Sequence, residues 1–293
     1  MKKFVFWFFA FIITISAAVY QRATGPTYPK KTTVSVNNIS YPLKLVRSLG
    51  LDEDPVVKLK INDATISAKI YYRRFRSNDE YQSADFQFKS KPVYSFIMNK
   101  MFKIEKDEGF FAEVPQQPAA GKIEYYFEIT DGSGTKTYLK ESPVVIRFKG
   151  GVPGFILLPH ILFMFIAMIF SNFSGLLAMF KVPSYRKYTF WTFGCLLIGG
   201  MILGPVVQLY AFGELWTGIP FGWDLTDNKT LIAFLFWILA VAMNWKKQRP
   251  VYTVVAAIVL LLIYSIPHSM FGSQLDYDSG TVTQGMIMNL WFW

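Results

Sequence analysis

Two histidines occur in the 293 residues, and their settings are nearly the same: "LLPHI" at His160 and "SIPHS" at His268, each ring directly after a proline. Neutral imidazole is a common protein ligand for heme iron, copper and zinc. A pair of such rings on separate segments is therefore a candidate metal or heme site. Between them in sequence runs "ELWTGIPFGWDLTDNKT", residues 214–230, which sets Trp216, Phe221, Trp223, Asp224, Asp227, Asn228 and Lys229 between two apolar runs. A porphyrin needs flat apolar walls and a cation for its propionates. Trp216, Phe221 and Trp223 can supply the walls and Lys229 the cation, while Asp224 or Asp227 can accept the second ring N–H of a ligating histidine. Capping of the helix that follows, by Thr226, Asp227 or Asn228, is the structural alternative for the polar run.

The elements that must position these residues are membrane helices. The chain is 52% apolar and 18% aromatic, and its charges are clustered, which is a membrane composition. Apolar stretches fall at 4–20, 153–180, 190–212, 230–245 and 251–267, near or above the roughly 17–25 residues that cross a bilayer as a helix. The fourth is the shortest. Basic residues flank them at Lys2 and Lys3, at Lys181, Arg186 and Lys187, and at Lys246, Lys247 and Arg249. The positive-inside rule assigns all three clusters to the cytoplasm. Residues 21–152, the loop 213–229 and the C-terminal tail 271–293 then lie outside an inner (cytoplasmic) membrane. The net charge of +10 follows largely from those inner segments, so it is not read as a nucleic-acid signal. Residues 1–21, with a basic start and small residues near the end, have the build of a signal peptide or signal-anchor helix.

On this reading His160 lies roughly 9 Å below the outer surface, and His268 roughly 25 Å above the cytoplasmic start of its helix, at 1.5 Å per residue. Both rings are thus expected at the outer face, near the Trp-bearing loop. Ionisable groups inside a membrane are costly and are functional candidates by default. Cys195 is the single cysteine, so a disulfide framework is excluded, and its apolar setting reads as packing.

Residues 28–149 read as an exported all-β sandwich. "KIEYYFEIT" alternates Ile123, Tyr125, Phe127 and Ile129 with Lys122, Glu124, Tyr126 and Glu128, which predicts one buried and one solvated face. "DGSG" then makes a hairpin turn into "TKTYL". The stretch "GKIEYYFEITDGSGTKTY" resembles the final hairpins of fibronectin- and immunoglobulin-type modules. With no histidine, no cysteine and no catalytic constellation, the domain reads as a docking or sensing module. The partners it would take are other membrane or periplasmic proteins, with Arg73, Arg74 and Arg76 a possible patch or a solvated strand face. "FKGGVPG" makes residues 150–154 a hinge, and residues 155–270 form a four-helix transmembrane domain. "MIMNLWFW" at the end is a candidate interfacial anchor or subunit contact.

From "HILFMFIAMIFSNFSGLLAMF" through "GPVVQLYAFGELWTGIPFGWDLTDNKTLIAFLFWILA" to "YSIPHSMFG", residues 158–272 resemble the heme-handling membrane proteins of cytochrome c maturation. Those proteins carry a Trp-rich outer loop, the WWD domain, between two outward-facing histidines. The resemblance implies heme b held by His160 and His268, with Trp223 and Asp224 as the Trp-Asp pair. Three functions follow as expectations. The first is heme handling or electron transfer, the second a non-enzymatic accessory or sensor subunit docked through its β-domain, and the third a copper or zinc site at the same histidines with Asp224 or Asp276. No nucleophile or acid–base pair stands in a known catalytic arrangement, so an enzyme is not expected.

Overall fold

The computed structural model describes residues 2–92, 106–268, 270 and 273–283; "MIMNLWFW" lies outside them. The chain divides into two compact units, one helical (residues up to 26, 150–274 and from 282) and one built of strands (residues 27–149 with 275–281). The predicted tail thus divides, with residues 275–281 joining the strands.

The helical unit contains α1 (Lys2–Thr24), α2 (Gly154–Met179), α3 (Tyr185–Leu196), a π-helical segment (Leu197–Leu203), α4 (Gly204–Phe212), α5 (Leu225–Trp245) and α6 (Pro250–Ser265). Four spans are long and apolar enough to cross a membrane: Lys3–Thr24, Gly154–Met179, the continuous Tyr185–Phe212, and Leu225–Trp245. Of the five apolar spans the shortest is α6, with 16 residues, and not the fourth stretch. The polar run "TDNKT" joins α5 and extends it to 21 residues. α6 in turn stops before Pro267, because a proline ring pushes the residue before it out of helical geometry; Ile266 is extended, with φ −75° and ψ 122°.

Aromatic and small residues close the bundle. Trp7 stacks on Phe173 at 4.0 Å and meets Tyr188 edge-on at 5.9 Å, and Phe6 stacks on Phe180. Arg186 donates to the Trp245 carbonyl, and Asn244 Nδ2 donates to the Arg249 carbonyl at 3.2 Å. The start of α1, the α2–α3 link and the α5–α6 link therefore share one end of the bundle. At the other end Gln21 reaches the close of α6, and the Gly150 N–H donates to Ala211 O at the close of α4.

The π segment has a local cause. Pro205 has no N–H to give to the carbonyl four residues earlier, and its ring would strike it. The ladder widens instead, and Gly204 N–H bonds Gly199 O. Gly199 and Gly200 keep that wider turn close to α2, where a Cβ on Gly199 would fall 2.9 Å from the Cβ of Phe163.

In the β-unit, β1 (Lys30–Val36) pairs with β2 (Ile39–Leu45). A six-stranded sheet runs in the order β3 (Ser48–Gly50), β11 (Val144–Lys149), β9 (Lys122–Asp131), β5 (Ser67–Arg74), β6 (Gln82–Asp85), with β10 (Gly134–Tyr138) also on β9. A third sheet runs β4 (Val56–Leu59), β8 (Lys106–Glu113), β7 (Gln87–Pro92). All three sheets send side chains into one core, including Leu43, Leu59, Ile70, Phe110, Phe127 and Phe148. The "DGSG" turn is a two-residue hairpin between Asp131 and Gly134, with Gly134 at φ +119° and Asp131 Oδ1 accepting from the Ser133 N–H.

β9 departs from strict alternation. Glu124, expected on a solvated face, is 9% exposed. It accepts from Arg73 Nε at 2.5 Å and from the Tyr81 hydroxyl, while Tyr126 stacks on Tyr71 at 4.9 Å. A second, polar layer covers that face.

Helix contacts set the first prediction. A Cβ on Gly175 would lie 2.7 Å from the Cβ of Ala257, whereas one on Gly194 meets open space. Gly175→Val is expected to force α2 and α6 apart and to cost about 1–3 kcal/mol. Gly194→Ala should be neutral or stabilise by up to about 1 kcal/mol. Thermal unfolding in detergent compares them, and equal stability of the two variants would remove the close α2–α6 approach.

Candidate functional site at one end of the helical bundle

The close of α6 creates the local demand. A helix end leaves carbonyls without an intrahelical partner, and in an apolar surrounding each must find a donor. Lys229 Nζ donates to Ile266 O at 2.8 Å and Pro267 O at 3.4 Å. Gln21 Nε2 donates to Tyr264 O at 2.6 Å and Ile266 O at 3.2 Å. Lys229 is 4% exposed, so its charge is held by the negative end of a helix dipole instead of by water. One lysine from α5 and one glutamine from α1 thereby tie three helices at the same point.

The run that precedes Lys229 is equally committed. Asp224 is the N-cap of α5, its Oδ1 accepting from Thr226 N–H at 2.7 Å and Asp227 N–H at 3.3 Å, and Ser273 Oγ donates to its Oδ2. The cap is Asp224, two to four residues before the expected Thr226, Asp227 or Asn228. Asp227 Oδ2 accepts from the Thr217 N–H at 2.6 Å, and Thr217 Oγ1 accepts from Gln208 Nε2. Asn228 Oδ1 accepts from the Ile219 N–H at 2.7 Å. "WDLTDNKT" thus fastens the loop between α4 and α5 and opens the helix. Trp216 Nε1 donates to Ile219 O within the loop, while Phe221 and Trp223 are 79% and 53% exposed. Both face outward, not into a cavity between the histidines.

His160 sits in the second turn of α2, with Nδ1 2.9 Å from Gly199 O. A carbonyl oxygen only accepts, so the proton is on Nδ1 and Nε2 keeps its lone pair. His268 lies in the turn after α6, so Pro267 acts as a helix stop. Pro159 does lie inside α2. The two rings are within electrostatic range of each other and of Lys229. The histidines, Lys229 and the loop thus share one end of the bundle, while Trp223 and Phe221 stand apart on its surface.

A cavity of about 20 Å³ lies beside His268, lined by Gln21, Met164, Lys229, Thr230 and Tyr264 among others. That is room for about one water. The Lys229 ammonium, expected to meet propionates, has the Ile266 and Pro267 carbonyls as partners. Among the described residues no three His, Cys, Asp or Glu side chains converge, so neither Asp224 nor Asp276 joins the imidazoles. The Asp276 carboxylate belongs to the β-unit, where the N–H groups of Asp278 and Ser279 hold its pKa below the usual carboxylate value.

The β-unit carries larger spaces. A groove of about 600 Å³ is lined by Tyr72, Arg73, Arg74, Asp79, Tyr81 and neighbours. Its arginines are paired, Arg73 with Glu124 and Arg74 with Asp79, and the Arg74 hydrogen bonds hold the Asp79 pKa down to about 2. Arg73 and Arg74 are therefore neutralised in place, while Arg76 is exposed with its guanidinium over the Phe75 ring. A second groove, of about 750 Å³, includes Lys31, Tyr41, Pro42, Lys44, Lys58 and Lys60. The lysines of this groove escaped the sequence reading because they are scattered over thirty positions and only strand pairing unites them.

Removing the Lys229 ammonium tests the knot at the end of α6. Lys229→Met is expected to cost about 1.5–3 kcal/mol, the range for hydrogen bonds to charged groups, and Asp224→Ala about 1 kcal/mol as a lost cap. Both are read by thermal unfolding in detergent. An unchanged Lys229→Met protein would mean that the α6 carbonyls have other donors. No protein-family model matches the chain, and no curated protein or solved structure does so either.

Proposed function

We propose that the chain is a non-enzymatic, multi-pass subunit of the cytoplasmic membrane whose β-unit is exported and docks a partner protein. The observation that carries this reading is the distribution of free space. At the end of the bundle that holds the histidines, the cavity beside His268 measures about 20 Å³, while the β-unit offers open grooves of about 600 and 750 Å³. Ligand sites are commonly 300–1,000 Å³ clefts. The orientation is supported by the three basic clusters sharing one bundle end, which the positive-inside rule assigns to the cytoplasm. The exposed Phe221 and Trp223 then suit the aromatic belt at the outer headgroups.

Heme or a metal ion at His160 and His268 is the second reading. It is favoured by the His160 Nδ1–Gly199 contact, because a ligating histidine usually gives its other ring N–H to a carbonyl or carboxylate. An absorption spectrum of the purified protein separates the readings. A Soret band lost in His160→Ala or His268→Ala supports heme, bound copper or zinc without that band supports the ion, and colourless metal-free protein leaves docking.

The export reading is tested in a Cys195→Ser background with a membrane-impermeant maleimide applied to intact cells. Ser133→Cys is expected to label and Lys246→Cys to label only after lysis; the reverse pattern sinks the topology. A photo-crosslinking residue at position 133 or 89 is further expected to give a discrete adduct in native membranes, and its absence at both positions counts against docking.

A further inference from the structure

The groove of about 750 Å³ is formed where the outward face of the β1–β2 pair meets β4. Strand alternation decides what faces outward. On β4, Val57 and Leu59 enter the core, and Lys58 and the following Lys60 take the opposite side. On β2, Leu43 and Leu45 are buried and Lys44 is exposed. Lys31 of β1 is the direct cross-strand partner of Lys44. Like charges placed directly opposite each other destabilise a strand pair. Burial, and then the charge of Lys60, holds the Lys58 pKa below the ordinary lysine value. Lysines on strand edges can serve only to discourage aggregation. That role needs no convergence, whereas these four line one groove beside Tyr41 and Pro42, and Asp107 pairs with Lys58 alone among the described residues.

We infer that this groove binds an acidic, extended segment of a partner protein, with carboxylates on Lys31, Lys44 and Lys60, Lys58 being held by Asp107, and an apolar side chain against Tyr41 and Pro42. This inference rests on the docking reading and names its site. Lysine is a point charge without the planar fork that recognises a phosphate in bidentate fashion. Ammonium groups spread along a groove therefore match separate carboxylates along a chain better than one compact anion. The arginine groove is the weaker docking site, since its guanidinium groups already have carboxylate partners.

The test uses the full chain in nanodiscs of zwitterionic lipid, with a fluorescein-labelled octa-glutamate peptide as probe and octa-glutamine as its neutral control. The acidic peptide is expected to bind and to weaken as salt is raised. Its affinity should fall about tenfold or more in Lys44→Glu/Lys60→Glu and stay unchanged in Lys136→Glu, an exposed lysine on β10. Lys44→Gln provides a signature that a structural role would not give: it relieves the Lys31–Lys44 repulsion, so affinity should drop while thermal stability holds or rises. Equal binding of both peptides, or unchanged octa-glutamate binding in the lysine variants, overturns the inference. So does complete competition by millimolar inorganic phosphate, which makes the site one for a compact anion. Lysine-dependent capture of phosphatidylglycerol vesicles in place of the peptide makes it a lipid-surface site. If a crosslinked partner adduct from the β-unit persists in Lys44→Glu/Lys60→Glu, docking stands and only this groove is rejected.

Discussion

Backbone carbonyls at the end of a helix have no partners of their own, and in an apolar bundle water is not at hand to supply one. The arrangement around the close of α6 follows from that constraint. Pro267 ends the helix, Ile266 turns extended, and the exposed oxygens of Tyr264, Ile266 and Pro267 are met by Gln21 and Lys229. A buried ammonium is expensive by itself. Here it lies against several oxygens and the negative end of a helix dipole. The same contacts fix the axial positions of α1, α5 and α6 relative to each other. Asp224 and Asp227 then hold the preceding loop onto the start of α5.

A second backbone irregularity lies close by. Pro205 prevents a normal α-helical turn, the ladder shifts to Gly204 N–H bonding Gly199 O, and the same carbonyl receives Nδ1–H of His160. π-helical turns are frequent at functional sites, and this one determines which nitrogen of His160 is free. The resulting end of the bundle is polar, with Phe221 and Trp223 of its loop turned outward. Such a region, fastened by its own hydrogen bonds, suits a rigid anchor.

In the β-unit, charge is handled in two different ways. Arg73 and Arg74 are locked by Glu124 and Asp79 and laid over the rings of Tyr81 and Tyr277, so they contribute packing and cross-strand order. Lys31 and Lys44 oppose each other, and Lys60 lies beside them with Lys58, which Asp107 pairs. Residual charge of one sign at a groove is the arrangement that selects partners by complementarity.

Composition and periodicity determined the broad architecture. Apolar runs of bilayer length located the helices, basic flanks paired their ends, and alternation around Tyr125 and Phe127 located the core of β9. Those signals are local, because burial in lipid or in one sheet face imposes its pattern on neighbouring residues. The pairing of His160 and His268 at one end was also legible, from helix direction alone. What the sequence left open depended on partners distant along the chain. Nothing local marks Lys229 as a ligand of carbonyls 37 and 38 positions away, Glu124 as covered by Arg73, or Lys31 and Lys44 as neighbours of Lys58 and Lys60. Whether Trp223 and Phe221 face a cavity or the surface is likewise decided by how the loop closes on Asp227 and Asn228. Tertiary structure decides such matters because a polar side chain can satisfy its hydrogen bonds in several ways, and only the packed chain selects one.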